Sequence, residues 1–123
     1  MMWRILFLLL LPLTVTAGQY FDYDAALNVL EGDTERGAVL AAQTERFGAS
    51  CNDCHMEGGN HYHDMHPKLS GQNEAYLTQQ MVAFIFLKRQ SHIMNAVLVD
   101  FEKEKPRYTE QEIVDLAAWF NSL

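Results

Sequence analysis

Only two cysteines occur in the 123 residues, three positions apart at Cys51 and Cys54. That excludes a scaffold stapled by several disulfides. Basic residues are also scarce: 9 Lys and Arg against 16 Asp and Glu give a formal charge of −7. Such a chain lacks the basic face that phosphates demand, which argues against nucleic acid as a partner. The acidity is compatible with a basic docking partner but does not identify one. No apolar run reaches the ~20 residues that a membrane-spanning helix needs. No stretch alternates apolar and polar residues as a half-buried strand does. There are no repeats, no low-complexity tracts and no second domain.

What is present begins with a leader. Met1-Met2-Trp3-Arg4 precedes the apolar run Ile5 to Leu11, and Val15-Thr16-Ala17 places small residues at a cleavage site. This is the pattern of a secretory signal peptide, with an uncleaved N-terminal anchor as the alternative. The reading divides the chain into a signal peptide (1–17), an N-terminal extension (18–31) and one domain (32–123). No membrane span remains after cleavage, and oligomeric state is not legible.

The domain reads as all-α. A two-turn helix is predicted over Asp24 to Leu30, capped by Asp24 and ended by Gly32. A second is predicted from Asp33 or Thr34 towards Phe47, with Gly48 as its stop. Cys51 to Pro67 has no helical or strand period and reads as a loop beyond its first turn. Asn73 caps a third helix running from Glu74 to about Arg89. Tyr76, Gln80, Ala83, Phe84 and Leu87 share one face of it, widened by Leu77, Met81 and Ile85. Ser91 to Pro106 is a long connection, helical around Ala96 to Phe101. Thr109 and Glu112 form a capping box for a last helix carrying Ile113, Leu116, Ala117, Trp119 and Phe120.

The chemistry lies in Cys51-Asn52-Asp53-Cys54-His55, the C-x-x-C-H pattern of covalent c-type haem attachment. Two thiols at this spacing can each add to one vinyl group of a single haem, and the adjacent imidazole becomes an axial iron ligand. One haem c per chain, held through Cys51 and Cys54, would also staple a domain too small for a large core. A small electron carrier closes both axial positions, and methionine opposite histidine raises the reduction potential. Met56 follows His55 directly and cannot reach the opposite face. Met65 stands in the loop leaving the His55 side, and Met81 falls among helical packing positions. Met94, in the segment after the third helix, is far enough along the chain to cross the haem edge. His55 and Met94 are therefore the candidate iron ligands.

The residues around this motif resemble small bacterial class I cytochromes c, nearest to the single-haem domains of periplasmic two-haem carriers. The resemblance covers roughly Gly32 to Leu123. It rests on Gly32-Asp33-x-x-x-Gly37, the haem motif, Gly59-Asn60 and Pro67-x-Leu69-Ser70-Gly71-Gln72. It continues through Tyr76-Leu77-x-x-Gln80-Met81-x-x-Phe84, Arg89, Met94 and Leu116-Ala117-Ala118-Trp119-Phe120-Asn121-Ser122-Leu123. It implies a class I fold, helices packed around one covalent haem, and a periplasmic electron carrier rather than an enzyme. Redox partner proteins would dock at the haem edge. Pro67 would offer its carbonyl to His55 and fix the ring, and Met94 would be the distal ligand. Arg89 would hydrogen-bond near a haem propionate, and Tyr76 would belong to the haem-binding set. Gly37 would let the first family helix cross the last one closely against Trp119 or Phe120. Met56 and Leu87 depart from the resemblance, standing where glycine is usual. The stretch from Gly37 to Cys51 is longer than in the shortest members, and residues 18–31 have no counterpart.

Competing readings remain. A haem subunit permanently bound to a periplasmic oxidoreductase is the alternative function, with Tyr20, Phe21 and Tyr23 as a partner-binding arm. A zinc site from Cys51, Cys54 and two clustered histidines has reasonable ligand chemistry. It would make the leader, Met94 and the Pro67 to Gln72 block coincidences. A thioredoxin-like reading fails for want of a βαβ pattern. A peroxidase is disfavoured while Met94 closes the iron. His61, His63 and His66 read as a solvated polar loop, with docking, pH tuning or metal binding as less favoured roles. His92 reads as a surface residue able to replace Met94 in an altered form.

Overall fold

The computed structural model describes residues 21–60 and 65–123. The expected signal peptide (1–17), Tyr20, His61 and His63 lie outside the described residues. In chain order the elements are a π-type turn (Ala25–Val29), α1 (Thr34–Ala42), α2 (Cys51–His55) and a 3-10 turn (Glu57–Gly59). Then come α3 (Glu74–Ile85), α4 (His92–Leu98), the two-residue strands β1 (Val99–Asp100) and β2 (Lys105–Pro106), and α5 (Glu110–Asn121).

α5 is the central helix. Its residues Ile113, Leu116, Ala117 and Phe120 are buried together with Leu40 and Ala41 of α1 and Leu77, Val82 and Phe84 of α3. α1 crosses α5 closely because Gly37 has no side chain. A methyl group there would run into the Asp115 carbonyl and lie 2.7 Å from the Trp119 Cβ. The crossing is locked by a buried carboxylate. Asp115 accepts from the Asp33 backbone N–H (2.7 Å), Arg36 Nε (2.8 Å) and Gln111 Nε2 (2.9 Å). Burial alone would raise the Asp115 pKa, but the bonds from Arg36, the Asp33 N–H and Gln111 outweigh it and hold the carboxyl below its ordinary value.

Two predicted caps, at Asn73 and Thr109, are present, and Asp33 adds a third at the predicted start of α1. Asp33 accepts from the Arg36 N–H, Asn73 from the Tyr76 N–H, and Thr109 with Glu112 forms a reciprocal box. Other boundaries differ. At the N-terminus Asp22, not Asp24, supplies the cap, its Oδ1 accepting from Ala25 N–H at 2.9 Å. That turn gives way to extended backbone at Leu30, ahead of Gly32. α1 stops at Ala42, short of Phe47, because Arg46 leaves the helical path to bond Glu112 and, at 2.8 Å, the Arg107 carbonyl. Gly48, at φ +98°, closes the turn that follows, its N–H 2.7 Å from the Thr44 carbonyl. α3 ends at Ile85, and Lys88 and Arg89 both turn back to the Ala83 carbonyl. The last connection holds α4 at His92–Leu98 rather than Ala96 to Phe101, since Ser91 caps it by accepting from Met94 N–H. Met94 is therefore helical, not in an irregular segment. Val99–Asp100 pairs antiparallel with Lys105–Pro106, a ladder too short to leave an alternating pattern.

The described part of the extension packs on its own domain. Phe21 and Tyr23 meet the Phe86 ring edge-on, with centroids 6.0 and 6.1 Å away, and Ala26 is buried in the core. These two rings are engaged within the chain, which weakens their reading as a partner-binding arm.

The two departures from glycine carry backbone strain. Met56 has φ 65° and ψ 165°, a region populated essentially by glycine. Leu87 has φ 56°, in the left-handed region that costs an L-residue ~1–2 kcal/mol. Both side chains are about half exposed, so little burial offsets the strain. Leu87→Gly is expected to raise stability by about 1 kcal/mol, after the entropy that glycine adds to the unfolded chain. Urea unfolding checks it; an unchanged or lower midpoint contradicts the strain argument.

Candidate functional site

One cavity of about 270 Å³ gathers most of the residues singled out by sequence, near the ~300 Å³ lower bound of small-molecule pockets. Cys51, Cys54, His55, Pro67, Tyr76, Arg89 and Met94 all line it. Leu69, Leu77, Met81, Phe84, Val97, Leu98, Leu116 and Phe120 make its walls mainly apolar.

α2 positions the motif. Ser50 and Asp53 form a capping box: Asp53 N–H donates to Ser50 Oγ at 3.1 Å and Ser50 N–H donates to Asp53 Oδ2 at 2.7 Å. The cap winds Cys51–His55 into one helical turn, the first turn that the sequence reading excepts from the loop. In that turn Cys51 and Cys54, three apart, fall on one face. Ser50-x-x-Asp53, overlapping the motif, is the sequence signal for it, close to the usual Ser-x-x-Glu form of the box. Desolvation in the wall pushes the Cys51 thiol up to about 11. It therefore stays protonated at neutral pH, unlike the activated thiolate of a redox dithiol.

His55 is buried, and its Nδ1 lies 2.9 Å from the Pro67 carbonyl. Nδ1–H donates in this arrangement, which fixes the tautomer and leaves Nε2 as the nitrogen with a lone pair. His66 sets its ring edge-on to His55, centroids 6.0 Å apart, and also lines the cavity. Met65 beside it therefore belongs to the His55 side and is 71 % exposed. Met81 and Met94 both line the cavity and pack against the core. Met81 thus has a place at the site that its helical packing pattern did not reveal.

Arg89 donates to Gln80 Oε1 at 2.7 Å and stacks its guanidinium 4.7 Å from the Phe84 ring centroid. This holds a cationic donor group against the cavity, beside the half-exposed Tyr76. Gln80, on the helix face that the sequence predicts, also lines the cavity. His92 is exposed at the first position of α4. The zinc reading requires two of His61, His63 and His66, and the first two lie outside the described residues. Two thiols on one helical face, an imidazole tied back through Nδ1 and thioethers around an apolar slot are the donor set that haem c takes. The residues present fit that group.

No helix among the described residues is long and apolar enough to cross a membrane. A cytochrome c family model matches residues 35–123. No curated protein matches the chain in a sequence search. Among solved structures it is similar to cytochrome c4 of Acidithiobacillus ferrooxidans, at 25% identity and a TM-score of 0.62. The match covers 80% of this chain and 54% of that one, so the chain spans about half the length of that cytochrome. The fold, the matched span and the motif within it agree: the chain belongs to the cytochrome c family, in its class I form, whose members carry covalently bound haem c and transfer electrons rather than catalyse reactions.

Proposed function

We propose that this chain is a periplasmic electron carrier with one haem c, attached through Cys51 and Cys54 and ligated by His55 and Met94. The observation that carries the proposal is the meeting of both thiols, the Pro67-oriented imidazole and Met94 on a single apolar cavity. The haem supplies a one-electron ferrous–ferric couple. Pro67, by accepting from Nδ1–H, holds the His55 ring and leaves Nε2 as the nitrogen that would ligate the iron. Arg89, braced by Gln80 and Phe84, offers N–H donors to a propionate carboxylate. The apolar walls exclude water, which with a thioether ligand favours the reduced state. Phe47, Tyr76 and Ile93 line the cavity and are 38%, 46% and 51% exposed. They form a partly apolar rim against which a redox partner can dock transiently. The leader of residues 1–17 supports export to the periplasm.

The test is a redox titration of the matured protein. One reversible one-electron wave, with the red-end charge-transfer band of a thioether–ferric bond in the oxidised form, is expected. A bis-histidine or five-coordinate spectrum would contradict the ligand pair. Persistent co-purification with a large oxidoreductase would favour the bound-subunit alternative.

A further inference from the structure

Asn95 follows Met94 in α4 and is only 6% exposed. Asparagine is a poor helix-interior residue because its amide competes for backbone groups. Here that competition is put to use. Asn95 Oδ1 accepts from the Ser91 N–H at 2.8 Å, and its Nδ2 donates to the Phe84 carbonyl at 2.8 Å and the Arg89 carbonyl at 3.0 Å. One side chain thus ties the start of α4 to the last turn of α3 and to the bend beyond it. Only a side-chain amide offers one acceptor and two donors on so short a stem. Aspartate lacks the donors, and leucine lacks both.

α4 has seven residues, too few to be stable alone. Its position, and with it the position of Met94 on the cavity wall, depends on anchoring from outside. The Met94 N–H is itself held by Ser91 Oγ at 3.2 Å, so Met94 lies between two polar ties that converge on Ser91. We propose that Asn95 is a positioning residue for the distal ligand: it locks the first turn of α4 onto the end of α3 and so keeps the Met94 sulfur on the iron. This rests on Met94 being that ligand. Without Asn95 the Ser91 N–H and two carbonyls lose a partner inside the protein. The start of α4 then opens locally while the α1–α5 core stays folded.

The test uses the ferric holoprotein and two readouts: the thioether–iron charge-transfer band and the affinity for added imidazole, which binds when the methionine leaves. In Asn95→Ala the band is expected to weaken, and imidazole to bind more tightly by about tenfold or more, equivalent to ~1.4 kcal/mol. Asp115→Asn, which loosens the distant α1–α5 crossing, is the control for general destabilisation. It is expected to leave imidazole affinity within about twofold of the parent. If Asn95→Ala does not fold, Asn95→Ser is read by the same two criteria. A full band and unchanged imidazole affinity in the Asn95 variant overturn the proposal. So does an Asp115→Asn shift of equal size. A Met94→Ala protein that keeps the band overturns the ligand assignment instead, so the two failures are distinct.

Discussion

Met94→Ala is expected to keep the haem attached and open one face of the iron. Thioethers at Cys51 and Cys54 would not depend on Met94, so the haem is expected to remain after acid-acetone extraction. The ferric charge-transfer band is lost, carbon monoxide binds the ferrous form, and the reduction potential falls on the order of 0.1 V, a fraction of the ~0.8 V that axial ligation spans. Because three methionines line the cavity, Met65→Ala and Met81→Ala are the necessary comparisons. Both are expected to keep the band: Met65 follows the His55 side of the loop, and Met81, although it lines the cavity, is held within α3, the helix that carries Tyr76 and Gln80. A band that survives Met94→Ala and vanishes in either of the others assigns the ligand to that residue. Spectra and potentiometry of the three variants decide it.

Gly37→Ala is expected to be the most damaging single-methyl change away from the haem. At an open helix position the same change stabilises by ~0.5–1 kcal/mol. At Gly37 the new methyl meets the Asp115 carbonyl and the Trp119 Cβ, neither of which can swing aside. The helices must separate, and the bonds from Asp33, Arg36 and Gln111 to Asp115 weaken with them. A loss of about 3 kcal/mol is expected, the upper part of the overpacking range. That corresponds to a fall in Tm of more than ~10 °C for a domain of this size. Thermal unfolding followed by circular dichroism reads it, and a variant as stable as its parent would show that the helices do not cross this tightly.

The legible parts of this protein are those in which residue type alone dictates chemistry. The haem motif needs two thiols and an imidazole in fixed order, and Thr109 with Glu112 or Asn73 before Glu74 can cap only at those places. Helix ends were less legible because distant partners decide them. Arg46 ends α1 by reaching Glu112 and Arg107, 66 and 61 residues further along the chain. Ser91 and Asn95 start α4 early by bonding to each other and to α3. The face of α3 shows a different limit. Tyr76, Leu77, Gln80, Met81 and Phe84 turn to the cavity, while Thr78, Val82 and Ile85 are also buried. A helix wedged between a core and a cofactor slot is apolar on two sides, and a single helical period cannot separate them. Leu87, read as part of that face, lies beyond the helix end in a left-handed turn and is half exposed. Met56 and Leu87 were visible only as departures from a familiar pattern. Their positive φ angles give the physical reason that glycine is usual there.

The central claim is that Cys51 and Cys54 hold one haem covalently. Intact mass spectrometry of the protein matured with haem-attachment machinery, after acid-acetone extraction, tests it most directly. The account predicts a single species heavier than the processed chain by one haem, and no such species in the Cys51→Ala, Cys54→Ala double variant. A parent chain at its bare mass, or one carrying zinc in place of haem, would contradict it.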